Sequence, residues 1–292
     1  MEVQVLRTVG NFPFIATFAF ACQTSTRLYV GMEFCAAGDF FSYMSQSHIR
    51  HDDIPLYVGE IALALDHLHS HGILFRDLKP ENITLSARGH VRLIDFGLSV
   101  FLDSEEAQTS ANGRREVVTS CGTLTYTAPE VLCRTPHSYE SDWWSLGILA
   151  YELYTGFMPF EGATDQETCD LICTVDFDPC PPVVEGRPEY DLIRRLLVRA
   201  QDLRLGYRRS DVRIVLSHAV FAGIDWDDLL HERISPRHPF GNQSSLSLAH
   251  FGDEFTTQTP IDRPLAPASA PQHVFDTELY PVITDTQLRS TR

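Results

Sequence analysis

At 292 residues and 43% hydrophobic content, the chain is long enough to bury a substantial core, as one large domain or as two lobes with a tail. A formal net charge of −16 argues against direct nucleic-acid binding and suits attraction of basic peptides. No apolar run reaches the length of a membrane span and no signal peptide opens the sequence, so membrane insertion is not expected.

Residues 1–9 read as the end of a helix with Val3, Val5, Leu6 and Val9 apolar, broken at Asn11-Phe12-Pro13. Phe14–Phe20 and Leu28–Met32 are rich in β-branched and aromatic residues and predict two strands joined by a polar turn at Gln23–Arg27. Ala36-Ala37-Gly38 is a small-residue connector, and helical spacing resumes at Phe40. Asp52–Leu68 predicts a helix, capped by Asp52 or Asp53, with Ile61, Leu63, Leu65 and Leu68 on and near one side. His67, His69 and His71 end it, where histidine suits the helix dipole. Short strands follow near Ile83–Leu85 and Val91–Ile94 around a turn at Arg88-Gly89.

Residues 103–117 are polar and contain serine and glycine, which predicts a mobile loop. Helices are predicted at Ser141–Thr155, Thr164–Thr174, Tyr190–Val198 and Ser210–His218, and beyond Phe221 the pattern weakens. Residues 256–274 are rich in proline, threonine and alanine and read as an extended tail. There is no internal repeat, and strands before helices argue for an α+β fold. Seven scattered cysteines (Cys22, Cys35, Cys121, Cys133, Cys169, Cys173 and Cys180) with no Cys-x-x-Cys suggest free thiols in a reducing compartment, cytoplasmic or nuclear. Cys169 and Cys173 lie one helical turn apart, but two thiols alone make a poor metal site.

Chemistry concentrates at residues 75–97. Asp77, Lys79, Asn82 and Asp95 sit among apolar neighbours such as Ile73, Leu74, Phe75, Leu93 and Ile94. Buried charges are costly unless a ligand or metal pairs them, so this stretch reads as a site. The set suits phosphoryl transfer. That chemistry needs a carboxylate to receive a hydroxyl proton, a cation beside the phosphate, and oxygen ligands for magnesium.

R-D-L-K-P-E-N at 76–82, then D-F-G from Asp95 and A-P-E at Ala128–Glu130, resembles the signature set of protein kinases. The resemblance runs from about Glu2 to Tyr280. Asp142-Trp143-Trp144-Ser145-Leu146-Gly147, with Cys121-Gly122-Thr123, is similar to the AGC group of serine/threonine kinases. Within it the chain resembles the ribosomal S-six kinase family. The N-terminal kinase domain of mitogen- and stress-activated kinases is most alike, through Tyr57-Val58-Gly59-Glu60-Ile61 and the spacing from Glu2 to Pro13-Phe14.

That resemblance implies a bilobal kinase fold over 1–221 and an AGC-type tail over 222–292. It implies ATP and Mg2+ as cofactors, basic protein substrates and an upstream activating kinase. Asp77 would be the catalytic base, Lys79 would touch the transferred phosphate, and Asn82 and Asp95 would hold magnesium. Met32 would guard the adenine pocket, Glu33 and Cys35 would bond adenine through their backbone, and Asp39 would contact ribose. Asp39, Glu81 and Glu152 would read substrate arginines, and Thr123 would support the peptide-binding loop. Thr119 would be the activating phosphosite, with Arg76 as its partner. Asp142 would anchor the catalytic loop, and Glu130 would pair with Arg204.

The sequence departs from the pattern at its start. Glu2 occupies the place of the helix glutamate, yet no G-x-G-x-x-G and no V-A-I-K occurs in the chain. The large lobe is expected complete and the small lobe truncated, and the 292 residues alone are expected to have weak or no activity. Phe75 replaces the histidine of H-R-D, Leu279 replaces a tail phosphoacceptor, and Arg263 falls at a second tail phosphosite. The alternative reading is a non-catalytic module that binds substrates or regulators.

Overall fold

In the computed structural model, which describes residues 1–24, 28–46, 49–177, 187–208 and 212–237, the chain opens on α1 (Glu2–Val9). All four of its apolar residues, Val3, Val5, Leu6 and Val9, are buried, as their spacing predicts. β1 (Phe18–Gln23) pairs antiparallel with β2 (Leu28–Met32), Gln23 opposite Leu28 and Phe18 opposite Met32.

The predicted strand at Phe14–Phe20 divides in two. Residues 14–16 leave β2 and bond instead to β5 (Val91–Leu93). The Leu93 N–H donates to Phe14 O at 3.0 Å, and the Ala16 N–H donates to Leu93 O at 3.0 Å. Alternation alone could not reveal this change of partner. A connector through Ala37 leads to α2 (Phe40–Gln46), as expected.

α3 (Ile54–Ser70) and α5 (Glu140–Thr155) form the centre of the core. α3 begins two residues later than predicted. Asp53 stands at its N-cap position but makes no side-chain cap bond: its backbone is helical rather than extended, and Pro55 at the second helical position has no N–H for a cap to take. α5 is buried on nearly every side. Its Gly147 lies where a Cβ would meet Leu196 Cβ and Leu197 Cδ2 at 2.9 Å, so α7 (Pro188–Leu196) packs directly on its backbone. Gly156, with φ 75°, ends it in the left-handed conformation that suits glycine.

Between these helices run β3 (Ile73–Leu74), β4 (Ile83–Leu85), β5 and β6 (Val100–Phe101). β4 pairs with β5 and β3 with β6, both antiparallel. The fold is α+β, with a small antiparallel sheet ahead of a mainly helical body.

The 103–117 segment is a pinned hairpin rather than the predicted mobile loop. β7 (Gln108–Thr109) pairs with β8 (Arg115–Glu116) around Asn112-Gly113, Gly113 taking φ 82°. The Asn112 side-chain oxygen accepts from Ser110 Oγ and from the Arg114 N–H. Arg114 reaches the buried Glu140 at 2.7 Å and lies over the Tyr207 ring at 3.9 Å. Arg115 donates to the carbonyls of Leu102 and Ser104, and Val117 is fully buried against His137. Charge-assisted bonds order this segment together with a small buried cluster of Leu74, Val100, Leu102, Ala107 and Val117.

α4 (Pro129–Leu132) and α6 (Asp165–Thr174) pack on each other. Thr164 caps α6 by accepting from the Glu167 N–H, while the Glu167 carboxylate accepts from the Ala163 N–H just before the cap. α8 (Val212–Leu216) and α9 (Trp226–Leu230) complete the described fold.

Beyond Phe221, where the sequence pattern weakens, the chain still packs. Trp226 lies over Gly59 of α3, Glu232 bonds Arg92, and Ser235 bonds His90. His90 and Glu60 are themselves fully buried partners, Nδ1 donating to Oε1 at 2.6 Å. The turn at 25–27, the start of the predicted Ser210 helix, Cys180, Arg263, the extended stretch at 256–274 and the Phe275–Tyr280 segment lie outside the described residues.

Candidate active site

The loop from Phe75 to Asn82 is held from below by one carboxylate. Asp142, in the first turn of α5 and 1% exposed, accepts from the Phe75 N–H at 2.9 Å and the Arg76 N–H at 2.8 Å. It also accepts from His69 Nε2 at 2.8 Å. Arg76 holds φ at 73°, a conformation that non-glycine residues sustain only when their surroundings enforce it. The two backbone bonds to Asp142 supply that enforcement, and His69 holds the carboxylate in place. His69 went unassigned in the sequence, where it reads as a helix-end histidine. His67 does sit at that helix end, stacked on Phe12.

Asp77 is the hub of the loop. Its Oδ2 lies 2.9 Å from Lys79 Nζ and accepts from Asn82 Nδ2 at 2.8 Å. Its Oδ1 accepts from both the backbone N–H and the hydroxyl of Thr123 at 3.2 Å. Lys79 Nζ in turn donates to Thr123 Oγ1 at 2.8 Å. The Thr123 amide reaches Asp77 because Gly122 takes φ 99°, and a Cβ there would stand 2.8 Å from the Arg76 carbonyl oxygen. The structure therefore brings Asp77, Lys79, Asn82 and Thr123 into one network.

Asp95 lies beside that network. The Ile94 N–H donates to Asn82 O at 2.9 Å, which places the two predicted magnesium ligands on adjoining backbone. Asp95 is exposed, has φ 60°, and accepts the Gly97 N–H at 3.1 Å. Glu2 faces it from α1. Burial raises the Glu2 carboxyl above its ordinary range and the Asp95 charge adds to this, while the Phe96 N–H pulls it back.

Asn82 spends its amide nitrogen on Asp77, which leaves the hard amide oxygen and the Asp95 carboxylate as the available ligands. Among the described residues no group of three or more acidic, histidine or cysteine side chains is placed to hold a metal. Two oxygen ligands fit magnesium, which binds through one or two protein groups and substrate phosphates rather than a protein cage.

Met32 ends β2 and packs partly buried against the core. The Glu33 N–H donates to Thr17 O at 2.9 Å, and its carboxylate accepts from Arg92 Nε at 2.7 Å. Cys35 is buried, which raises its thiol. Asp39 bridges to Thr84 of β4 and accepts from the Ser42 N–H at 2.6 Å, which starts α2. α2 packs on the 80–82 turn that carries the exposed Glu81.

Glu152 accepts from Tyr126 Oη at 2.5 Å. Its carboxyl is raised by burial, pulled back by Tyr126, and raised further by the nearby charge of Glu81. Glu81 and Glu152 thus form an acidic pair whose repulsion a cation would relieve.

The remaining predicted residues are also in contact. Arg76 Nη1 donates to Thr119 Oγ1 at 2.6 Å. Glu130 and Arg204 form a buried two-point pair, Nη2 to Oε2 at 2.9 Å, and the guanidinium lies 5.0 Å from the Trp144 ring centre.

Comparison with known proteins adds to this geometry. The family described as Protein kinase domain matches residues 1–221. Human Ribosomal protein S6 kinase alpha-2 is 38% identical over 274 residues, covering 94% of this chain and 36% of its own length. Human Ribosomal protein S6 kinase alpha-6 is 39% identical over 274 residues, with 94% and 35% covered. Mouse Ribosomal protein S6 kinase alpha-3 is 38% identical over 280 residues, with 94% and 36% covered. The chain spans about a third of the length of these curated relatives.

Proposed function

The chain belongs to the protein kinase family, in its AGC group, and we propose that its protein transfers the terminal phosphoryl of ATP to serine or threonine of arginine-rich substrates in intracellular signalling. The observation that carries this reading is the network around Asp77, Lys79, Asn82 and Thr123. When bound, magnesium-ATP supplies the phosphoryl group and neutralises its charge.

The chain's own residues do the positioning. Asp77 aims the substrate hydroxyl and takes its proton. Lys79 places a cation beside the moving phosphate. Asn82 and Asp95 offer the oxygen ligands for the metal. The connector at Met32, Glu33 and Cys35 takes adenine, and Asp39 takes ribose. Thr123 links the Asp77 carboxylate to the segment on which a peptide would lie.

The acidic pair of Glu81 and Glu152 supports arginine-directed substrates, since a guanidinium would relieve its repulsion. The Arg76–Thr119 contact supports Thr119 as the site of an upstream kinase. The free cysteines among the described residues support a reducing compartment, cytoplasm or nucleus.

The test is isotopically labelled ATP with magnesium and an arginine-rich serine peptide, alongside Asp77→Asn. Weak transfer by the 292 residues, lost to background in the variant, is the expected result. Peptide binding without transfer would establish a non-catalytic module instead, and neither binding nor transfer would overturn both readings.

A further inference from the structure

Two cysteines from different elements meet on the surface, far from the Asp77 network in sequence and unused by the chemistry above. Cys133 is the C-cap residue of α4 and is exposed. Cys173 lies in the last turn of α6 and is half-buried. Their sulfurs are 3.5 Å apart, in direct contact.

Both positions are fixed by backbone. The Cys133 N–H donates to Pro129 O at 2.9 Å, and the following Arg134 turns the chain at φ 53°. The Cys173 carbonyl accepts from Arg199 Nη1 at 2.9 Å, while the same guanidinium grips Asp176 at 2.7 Å. The backbone carrying each thiol is therefore fixed at the end of a helix. Only a small closing movement separates this contact from a covalent S–S bond of about 2.05 Å.

A shared metal is the competing use of clustered thiols, and Cys169 lies one turn before Cys173. Yet the described residues hold no three-ligand group suited to a metal. Two thiolates alone leave a soft cation half-coordinated. Two thiols in contact, one of them open to solvent, are instead arranged for oxidation.

We propose that Cys133 and Cys173 are an oxidative modification site, forming a reversible disulfide that staples α4 to α6. The oxidant is a hydroperoxide. The exposed Cys133 sulfur, as thiolate, attacks the peroxide oxygen, breaking the O–O bond and leaving a sulfenic acid and an alcohol or water. The Cys173 sulfur then attacks the Cys133 sulfur, the S–O bond breaks, and the departing hydroxide takes the Cys173 proton as water. Each sulfur is oxidised by one electron, and the peroxide accepts both. Burial first, and then the neighbouring Cys133, push the Cys173 thiol up to about 11, so the first attack on peroxide falls to the exposed Cys133.

The staple has a definite place in the fold. Three residues before Cys133, Glu130 anchors α4 to Arg204 from the buried side. The disulfide would pin the same short helix from the solvent side, closing a loop across residues 40 apart in sequence.

The experiment treats the full chain with hydrogen peroxide, blocks the remaining thiols with an alkylating agent, and maps unreduced peptides by mass spectrometry. The expected result is a peptide pair joining Cys133 to Cys173, lighter by two hydrogens than the free pair and released by dithiothreitol. Cys133→Ser and Cys173→Ser should each abolish it, while Cys169→Ser should leave it intact. Peroxide that yields only sulfinic or sulfonic Cys133, or a bridge from Cys133 to Cys169, overturns the proposal. None of these readouts depends on phosphoryl transfer.

Discussion

The hydroxyl of Thr119 sits 2.6 Å from a guanidinium nitrogen of Arg76, 43 residues earlier in the chain. A phosphate on that hydroxyl would meet a cation already in position, and charge-assisted bonds of this kind contribute about 1.5–3 kcal/mol. Phosphorylation of Thr119 is therefore expected to slow backbone amide exchange across residues 117–123 by roughly 10- to 100-fold. Arg76→Ala should remove that protection. Equal protection with and without the arginine would place the phosphate elsewhere.

Asp142 serves three donors with two oxygens, and it is buried. Asp142→Asn puts an amide nitrogen where one of those donors points and leaves a buried N–H unmet. The expected cost is about 2–4 kcal/mol in urea unfolding. The loss should be accompanied by faster exchange at the Phe75 and Arg76 amides. A variant that unfolds at the parent midpoint would show that the loop holds its left-handed turn by other means.

Glu152 gives a pH prediction. Burial raises its carboxyl above the ordinary 4.5, Tyr126 opposes this, and Glu81 adds to the rise. A carboxyl raised in the folded state holds its proton more tightly there than in the unfolded chain. Stability from this group is therefore highest at acid pH and is lost as pH rises through that raised value. Glu152→Gln keeps an acceptor for Tyr126 and removes the charge. It should melt higher at pH 7, with the gain shrinking to nothing below the ordinary carboxylate range. The same variant should bind an arginine-rich peptide more weakly. A stability gain that persists unchanged at acid pH would contradict the repulsion argument.

Arg204 has no exposed side-chain surface and its partner Glu130 nearly none. Removing the cation alone leaves a carboxylate buried without compensation, so Arg204→Ala should cost about 3–5 kcal/mol. Arg204→Lys should recover only part of this, since an ammonium cannot reproduce the two-point bond to Glu130. Chemical denaturation of the two variants side by side tests both statements.

The site was legible in the sequence because its chemistry is local. Asp77, Lys79 and Asn82 fall within six residues, and their types and spacing already specify a phosphoryl-transfer loop. The helices α1 and α3 were equally readable from the 3.6-residue period of their apolar residues, and α5 from its nearly continuous apolar run.

What escaped depended on partners remote in the chain. His69 reads as a helix-end residue until Asp142 is placed beside it. Residues 14–16 read as one strand with 18–20 until β5 claims them. The 103–117 segment has little apolar signal, and its order comes in part from Arg114 and Arg115 reaching Glu140, Leu102 and Ser104. Its Asn112-Gly113 pair was a hairpin signal that could have been weighed.

The residues after Phe221 bear on where the chain can be cut for recombinant work. A version ended at 221 would uncover the Gly59 face of α3, strand Arg92 with a single acid partner in Glu33, and leave His90 Nε2 without Ser235. Such a fragment should precipitate or melt early, and a C-terminal tag belongs no earlier than Arg237.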